Sequence, residues 1–132
     1  MVIDDTYVDR YVAERNIKKY GLAEEVIAKD SAHAALEYLA SQLDSPELLP
    51  QLIFLDVRMP DVNGFEFLEA YSRLPESIKS TCLVMMLSTS LNPSDHERVK
   101  ENQYVSRFLN NPLDKEKITT LLNDLSDRGT QR

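Results

Sequence analysis

The strongest constraint on the fold of this chain is a regular alternation between short apolar runs and amphipathic segments. Five apolar runs recur along its 132 residues. Short apolar runs bounded by polar residues are typical of buried strands. Runs that are apolar on both faces favour a parallel sheet covered by helices. The predicted strands are residues 2–3, 26–28, 52–55, 82–87 and a run containing Val105, Phe108 and Leu109.

The segments between these runs have the apolar spacing of amphipathic helices. In the first of them, Val8, Tyr11 and Val12 are predicted to form the side that packs on the sheet. Ser31 and Asp114 stand where helix N-caps are expected. The predicted helices are residues 6–20, 31–43, 64–74, 94–103 and 114–125.

Strands that alternate with helices predict an open α/β sheet. With right-handed crossovers and five parallel strands, the leading topology is the flavodoxin-like order 2-1-3-4-5, with helices on both faces. In such sheets the functional crevice lies beyond the carboxyl ends of the strands. The residues that follow each strand are therefore the candidates for chemistry.

Composition indicates one small domain and excludes several classes of function. The formal net charge is −7, which argues against nucleic acid or an anionic membrane surface as a direct partner. No apolar stretch has the roughly 20 residues needed to span a bilayer. The single cysteine, Cys82, excludes an intrachain disulfide and suits a reducing, cytoplasmic compartment. The three glycines form neither a Gly-x-Gly-x-x-Gly nor a Walker pattern.

The expected organisation is a domain over residues 1–126 followed by a polar tail over residues 127–132. Only Met1, Val2 and Ile3 precede the first acidic pair. Three residues are short for a central strand, which usually has about five or six. We therefore expect the natural N-terminus to extend further upstream.

Aspartates stand at the ends of the first and third predicted strands, which are neighbours in the expected order. Asp4 and Asp5 follow the first strand, and Asp56 follows the third. A single aspartate at a strand end is usually a cap or a turn residue. Three converging carboxylates repel one another strongly, so either one takes up a proton or a cation lies among them. Oxygen ligands at a half-open site favour Mg²⁺, and a carboxylate beside it can attack phosphorus.

Four segments of the chain resemble the receiver domain of two-component response regulators. They stand in the family's order and at its spacing, and they extend over nearly the whole chain. The most specific is the second, which contains Asp56. The segments are Val2-Ile3-Asp4-Asp5, LDVRMPDVNG at 55–64, Leu87-Ser88 and FLNNPL at 108–113.

This resemblance implies a signalling module that accepts a phosphoryl group from a histidine kinase or a phosphotransfer protein. Asp56 corresponds to the phosphoacceptor. Asp4 and Asp5 correspond to the acidic pair that binds Mg²⁺, together with Asp56 and the main-chain carbonyl of Arg58. Enzymatic activity is expected only as Mg²⁺-dependent self-phosphorylation and self-dephosphorylation at Asp56.

The resemblance also implies how the domain responds. Ser88 corresponds to the hydroxyl residue that hydrogen-bonds the phosphoryl group, and Phe108 to the aromatic residue that turns inward on activation. The surface expected to change is formed by the fourth helix, the fifth strand and the fifth helix. Gly64 is expected to supply a positive φ in the turn before the third helix.

Asn111 departs from the family's pattern. The family usually has a lysine immediately before the proline that follows the fifth strand, and here Asn111 precedes Pro112. An amide donates hydrogen bonds but carries no charge. The site therefore has one positive charge fewer facing a phosphorylated aspartate. We expect the unphosphorylated site to depend more on a bound cation, and switching to be weaker or partly independent of phosphorylation.

Two other functions remain open. A phosphorylation-independent interaction module on the same fold would be consistent with Asn111, but the intact acidic triad argues against it. The second is an aspartate-nucleophile phosphohydrolase of the haloacid-dehalogenase type, because Asp4-Asp5 and Ser88 are faintly similar to the first two motifs of that type. The first motif of that type has Asp-x-Asp, whereas the two acids here are adjacent.

Overall fold

Five parallel strands form one sheet in the order β2-β1-β3-β4-β5. The structure is a computed structural model that describes residues 1–59, 62–88, 93–110 and 112–130, with side chains described up to residue 125. The predicted α/β class and strand order are confirmed. The strands are β1 (Val2–Ile3), β2 (Ala28–Lys29), β3 (Leu52–Asp56), β4 (Leu83–Ser88) and β5 (Val105–Asn110).

Helices connect the strands at positions close to those predicted. A 3₁₀ turn at Pro46–Leu48 and a one-turn helix at Glu76–Lys79 lie within two of the connections. The last helix runs to Thr130 and so passes residue 126. The predicted division into a domain over residues 1–126 and a tail over residues 127–132 stays a prediction. The five longer helices are α1 (Tyr7–Lys19), α2 (Ala32–Ser41), α3 (Gly64–Ser72), α4 (Pro93–Glu101) and α5 (Lys115–Thr130).

Among the described residues, three side chains cap helices at their N-termini. Ser31 Oγ accepts a hydrogen bond from the main-chain N–H of Ala34, and Asp114 Oδ1 accepts one from Lys117. Both were predicted caps. Asn63 exchanges two hydrogen bonds with Glu66 in a capping box at the start of α3. These caps fix where α2, α3 and α5 begin, and therefore where the loops after β2, β3 and β5 end.

Helices cover both faces of the sheet, as predicted. Successive strand residues point to opposite faces, so β1, β3 and β4 each contribute to two separate cores. The first core, against α2, α3 and α4, includes Ile3, Leu55, Met86, Leu39, Phe67 and Val99. The second, against α1 and α5, includes Val2, Phe54, Leu87, Ile17 and Ile118.

The predicted packing side of α1 is wrong. Val8 is 64% exposed and Tyr11 is 52% exposed, whereas Ala13 and Ile17 are buried. Val8 lies nine positions before Ile17, which is two and a half helical turns and therefore the opposite side of the helix. The buried stripe pairs one small residue with one large residue, so it is inconspicuous beside the larger apolar residues of the first turns.

The expected positive φ at Gly64 is also wrong. Among the described residues, the positive φ belongs to Gly21, at 79°. Gly64 is needed for a different reason, which is close packing of α3 on β3. A Cβ there would lie 2.8 Å from Met86 Cε and 3.0 Å from both Asp56 O and Val57 Cα. The flexible methionine end could move, but the β3 backbone could not.

The two glycines should therefore respond differently to substitution. We expect Gly64→Ala to lower the free energy of unfolding by about 1–3 kcal/mol through overpacking, and Gly64→Asn to lower it further. At Gly21 there is space for a side chain. Gly21→Ala should cost about 1–2 kcal/mol because of its φ, and Gly21→Asn less, because asparagine adopts positive φ more readily.

Urea unfolding of the four variants measures these differences. The informative result is the order of Ala and Asn at each position. The same order at Gly64 and Gly21 would contradict the distinction between a steric and a conformational requirement.

Candidate functional site

Three carboxylates converge at the carboxyl ends of β1 and β3. Carboxylate oxygen atoms of Asp4, Asp5 and Asp56 all lie within 4.8 Å of one another. The parallel register pairs Ile3 with Leu55, so Asp4 and Asp56 come next to each other on adjacent strands. Asp4 is 4% exposed, Asp56 is half-buried and Asp5 is exposed. The predicted cluster is present and is open on one side.

Short-range hydrogen bonds orient two of these carboxylates. The main-chain N–H of Thr6 donates to Asp4 Oδ1 at 2.9 Å, and that of Arg58 donates to Asp56 Oδ1 at 3.2 Å. Arg10 approaches from α1, and its Nη1 donates to the main-chain oxygen of Asp4 at 2.8 Å. The carboxylates of Asp4 and Asp56 are therefore each held by the main-chain N–H two residues further along the chain.

Burial, with a smaller contribution from neighbouring negative charges, raises the pKa of both Asp4 and Asp56. Burial, followed by the negative charge of Asp4, raises the pKa of Asp56 to about 7, although the N–H of Arg58 opposes the shift. Burial is also the main cause of the raised pKa of Asp4. Three clustered carboxylates supply hard oxygen ligands and an excess of negative charge. That donor set fits Mg²⁺, which prefers oxygen ligands.

The other predicted site residues lie on the neighbouring strands. Ser88 ends β4 and is 1% exposed. Because Asp56 pairs with Leu87, Ser88 lies at the same edge of the sheet as the acidic cluster. Phe108 is half-buried in β5 and packs edge-on against His96 of α4, with ring centroids 5.6 Å apart. Asn111 lies outside the described residues.

Several charged side chains to which the sequence analysis assigned no role interact with the cluster or with the loop that follows Asp56. The charge of Asp9 raises the pKa of both Asp4 and Asp56. Its place in the first turn of the helix that follows the acidic pair could have indicated this. Arg58 Nη2 lies 3.1 Å from Asp95 Oδ2 of α4. These two residues are 37 positions apart, and no local sequence pattern predicts their contact.

The sequence profile of the response regulator receiver domain family matches residues 1–123. This chain belongs to that family. A response regulator receiver protein from Dyadobacter fermentans is 33% identical in sequence, and its crystal structure gives a TM-score of 0.82. That similarity covers 96% of this chain and 93% of the other.

Two rice proteins (Oryza sativa subsp. japonica) are also similar. Two-component response regulator ORR1 is 29% identical over 93% of this chain and 53% of its own length. Probable histidine kinase 5 is 38% identical over 61% of this chain and 6% of its own length. This chain thus spans about half of that regulator and a small part of that kinase.

Within the part of the chain that the structure describes, every helix is too short or too polar to cross a membrane.

The raised pKa of Asp56 predicts a pH-dependent stability for the metal-free protein. Because this pKa is about 7 when folded and near 4 when unfolded, the folded state binds more protons between these values. The free energy of unfolding should therefore fall as pH rises from about 4 to about 7. We expect a fall of about 1–2 kcal/mol after allowing for solvent screening at this half-exposed site.

Urea unfolding in the presence of EDTA, at several pH values, measures this fall. Asp56→Asn cannot ionise and should lose most of it, and at pH 8 it should be more stable than the unsubstituted protein. Asp44→Asn, at an exposed position, serves as the matched control and should keep the fall. Parallel pH profiles for Asp56→Asn and the unsubstituted protein would contradict the electrostatic account.

Proposed function

We propose that this receiver domain accepts a phosphoryl group on Asp56, in a Mg²⁺-dependent reaction, from a histidine kinase or a phosphotransfer protein. The observation that carries the proposal is the convergence of Asp4, Asp5 and Asp56 at the strand ends of a receiver fold. The similarity to a protein named as a probable histidine kinase supports this class of partner. The single, buried cysteine suits a cytoplasmic setting.

The chemistry is nucleophilic attack by a carboxylate. An oxygen of the ionised Asp56 carboxylate attacks phosphorus, the bond between phosphorus and the donor's nitrogen or oxygen breaks, and an acyl phosphate forms. Bound Mg²⁺ would offset the charge of the carboxylates and of the incoming phosphoryl group. Asp4, Asp5, Asp56 and the main-chain carbonyl of Arg58 are its proposed ligands. The exposed side of Asp56 leaves room for the donor.

We assign the response to Ser88 and Phe108. Ser88 lies at the sheet edge next to Asp56 and would hydrogen-bond the phosphoryl group. Phe108 contacts His96 and is half-exposed. Its ring would turn further inward when the domain is phosphorylated. Its movement would change the surface formed by α4, β5 and α5, which a downstream protein would recognise.

The second candidate is an interaction module that works without phosphorylation. The observation that favours it is Asn111, which replaces the family's usual lysine. Without that ammonium group, the phosphorylated state loses a charge that would stabilise it. The acidic cluster itself remains intact, and this favours the phosphoacceptor role.

The proposal predicts a covalent adduct. Incubation with Mg²⁺ and acetyl phosphate should increase the intact mass by one phosphoryl group. The adduct should be absent in EDTA and in Asp56→Asn, and present in the control Asp44→Asn. If Mg²⁺ binds to the folded protein but no adduct forms, the interaction module is the better description. Absence of Mg²⁺ binding would also overturn the metal-ligand assignment.

The absence of a lysine at position 111 predicts that the unphosphorylated site binds Mg²⁺ more tightly than it would with that lysine. The family's usual lysine at this position offsets the acidic cluster, so Asn111→Lys should make Mg²⁺ bind the unphosphorylated protein about three- to tenfold more weakly. Isothermal titration measures this, and the lifetime of the adduct should lengthen in the same variant. Asn123→Lys makes the same change on the exposed side of α5. An equal loss of Mg²⁺ affinity in that control would show an effect of net charge alone.

A further inference from the structure

An ion pair connects the loop after the acceptor aspartate to α4. Arg58 Nη2 lies 3.1 Å from Asp95 Oδ2, where the Arg58 side chain is 62% exposed and the Asp95 side chain 14% exposed. The main-chain N–H of Arg58 also donates to Asp56 Oδ1. One residue is therefore bonded to the acceptor carboxylate through its backbone and to α4 through its side chain.

The main chain immediately before Arg58 is anchored to the sheet, whereas the Arg58 side chain is largely exposed. The preceding residue, Val57, is 3% exposed, and its N–H donates to the main-chain oxygen of Leu87 at 3.1 Å. These contacts anchor Val57 to β4. The guanidinium group, by contrast, lies at the end of a long and largely exposed side chain. It can exchange one anionic partner for another without movement of the sheet.

The surroundings of Asp95 also allow such an exchange. Arg58 and Asp95 line a groove together with Arg98. Arg98 lies three positions after Asp95 on the same helix, with its guanidinium 3.8 Å from the centre of the Phe65 ring. Residues three apart on a helix are neighbours. If Arg58 moves away, Arg98 can compensate the charge of Asp95, but Arg98 belongs to α4 and does not connect it to the β3 loop.

We propose that a phosphoryl group on Asp56 draws the Arg58 guanidinium away from Asp95, and thereby detaches the start of α4 from the acceptor loop. The inference rests on the proposed phosphorylation of Asp56. A phosphorylated side chain carries about −1.5 to −2 charges and three acceptor oxygens, against a single charge on Asp95. Guanidinium groups bind phosphate oxygens strongly, often through two hydrogen bonds.

Arg58 is better placed for this exchange than Arg10. The Arg10 guanidinium also lies beside the acidic cluster, but it donates to the main-chain oxygen of Asp4 and lies over the Tyr7 ring, 5.8 Å from its centre. Neither partner links Arg10 to α4. Asp95 is therefore assigned as a positioning residue, which holds Arg58 until the charge at Asp56 increases.

Hydrogen exchange of residues 93–101 tests the connection in the full chain. In the unphosphorylated protein, Asp95→Asn and Arg58→Gln should each increase exchange in α4 about three- to fivefold. Asn keeps an oxygen that accepts hydrogen bonds, so contacts of Asp95 that need no charge are preserved. The double variant should match the single variants, because all three remove the same interaction.

The same measurement after treatment with Mg²⁺ and acetyl phosphate tests the transmission. Phosphorylation should raise α4 exchange in the unsubstituted protein to the level of Asp95→Asn, and should add little in that variant. Arg73→Gln breaks an exposed ion pair with Glu69 on α3 and is the matched control. It should leave α4 exchange unchanged and should keep the response to phosphorylation.

The outcomes separate this inference from the proposed function. If the adduct forms but α4 exchange does not change, or still rises fully in Asp95→Asn, the inference is wrong and the phosphoacceptor assignment stands. If intact mass shows no adduct on the unsubstituted protein, the proposed function fails and the inference fails with it.

Discussion

Mutual repulsion among Asp4, Asp5 and Asp56 is the constraint on which the rest of the site depends. The sheet creates it, because Ile3 pairs with Leu55 and both are fully buried. The strands cannot shift apart to relieve the carboxylates without exposing that core. Burial first, and the charges of neighbouring carboxylates second, raise the pKa of Asp4 and Asp56. Because the carboxylates repel one another, the site responds to any change in charge, whether from a proton, a cation or a phosphoryl group.

Nearby arginines do not relieve the repulsion. Arg10 binds the main-chain oxygen of Asp4, and Arg58 binds Asp95 through its side chain. Arg10 has only a minor lowering effect on the pKa of Asp4, and Arg58 acts on Asp56 through its backbone N–H. Positive charge is thus available around the site without neutralising it, which leaves the carboxylates able to bind a divalent cation.

The sequence was sufficient for features that depend on local pattern and chain order. Buried strands ending in Asp4, Asp5 and Asp56 followed from apolar runs, and the strand order brought them together. The packing side of α1 could not be read reliably, since Ala13 and Ile17 are weaker signals than Val8 and Tyr11. The contact between Arg58 and Asp95 depends on how β3 and α4 approach in three dimensions.

Tight packing decides which parts of the site can move. The main-chain oxygen of Asp56 lies against Gly64 at the start of α3, where even a methyl group would be too close. Its carboxylate is bonded to the N–H of Arg58, and Val57 is anchored to β4. The acceptor therefore cannot retreat from added charge. The adjustment must fall on groups that retain freedom, which are the exposed Arg58 side chain and the half-buried Phe108. Both contact α4, so a local charge at Asp56 has a physical route to that helix.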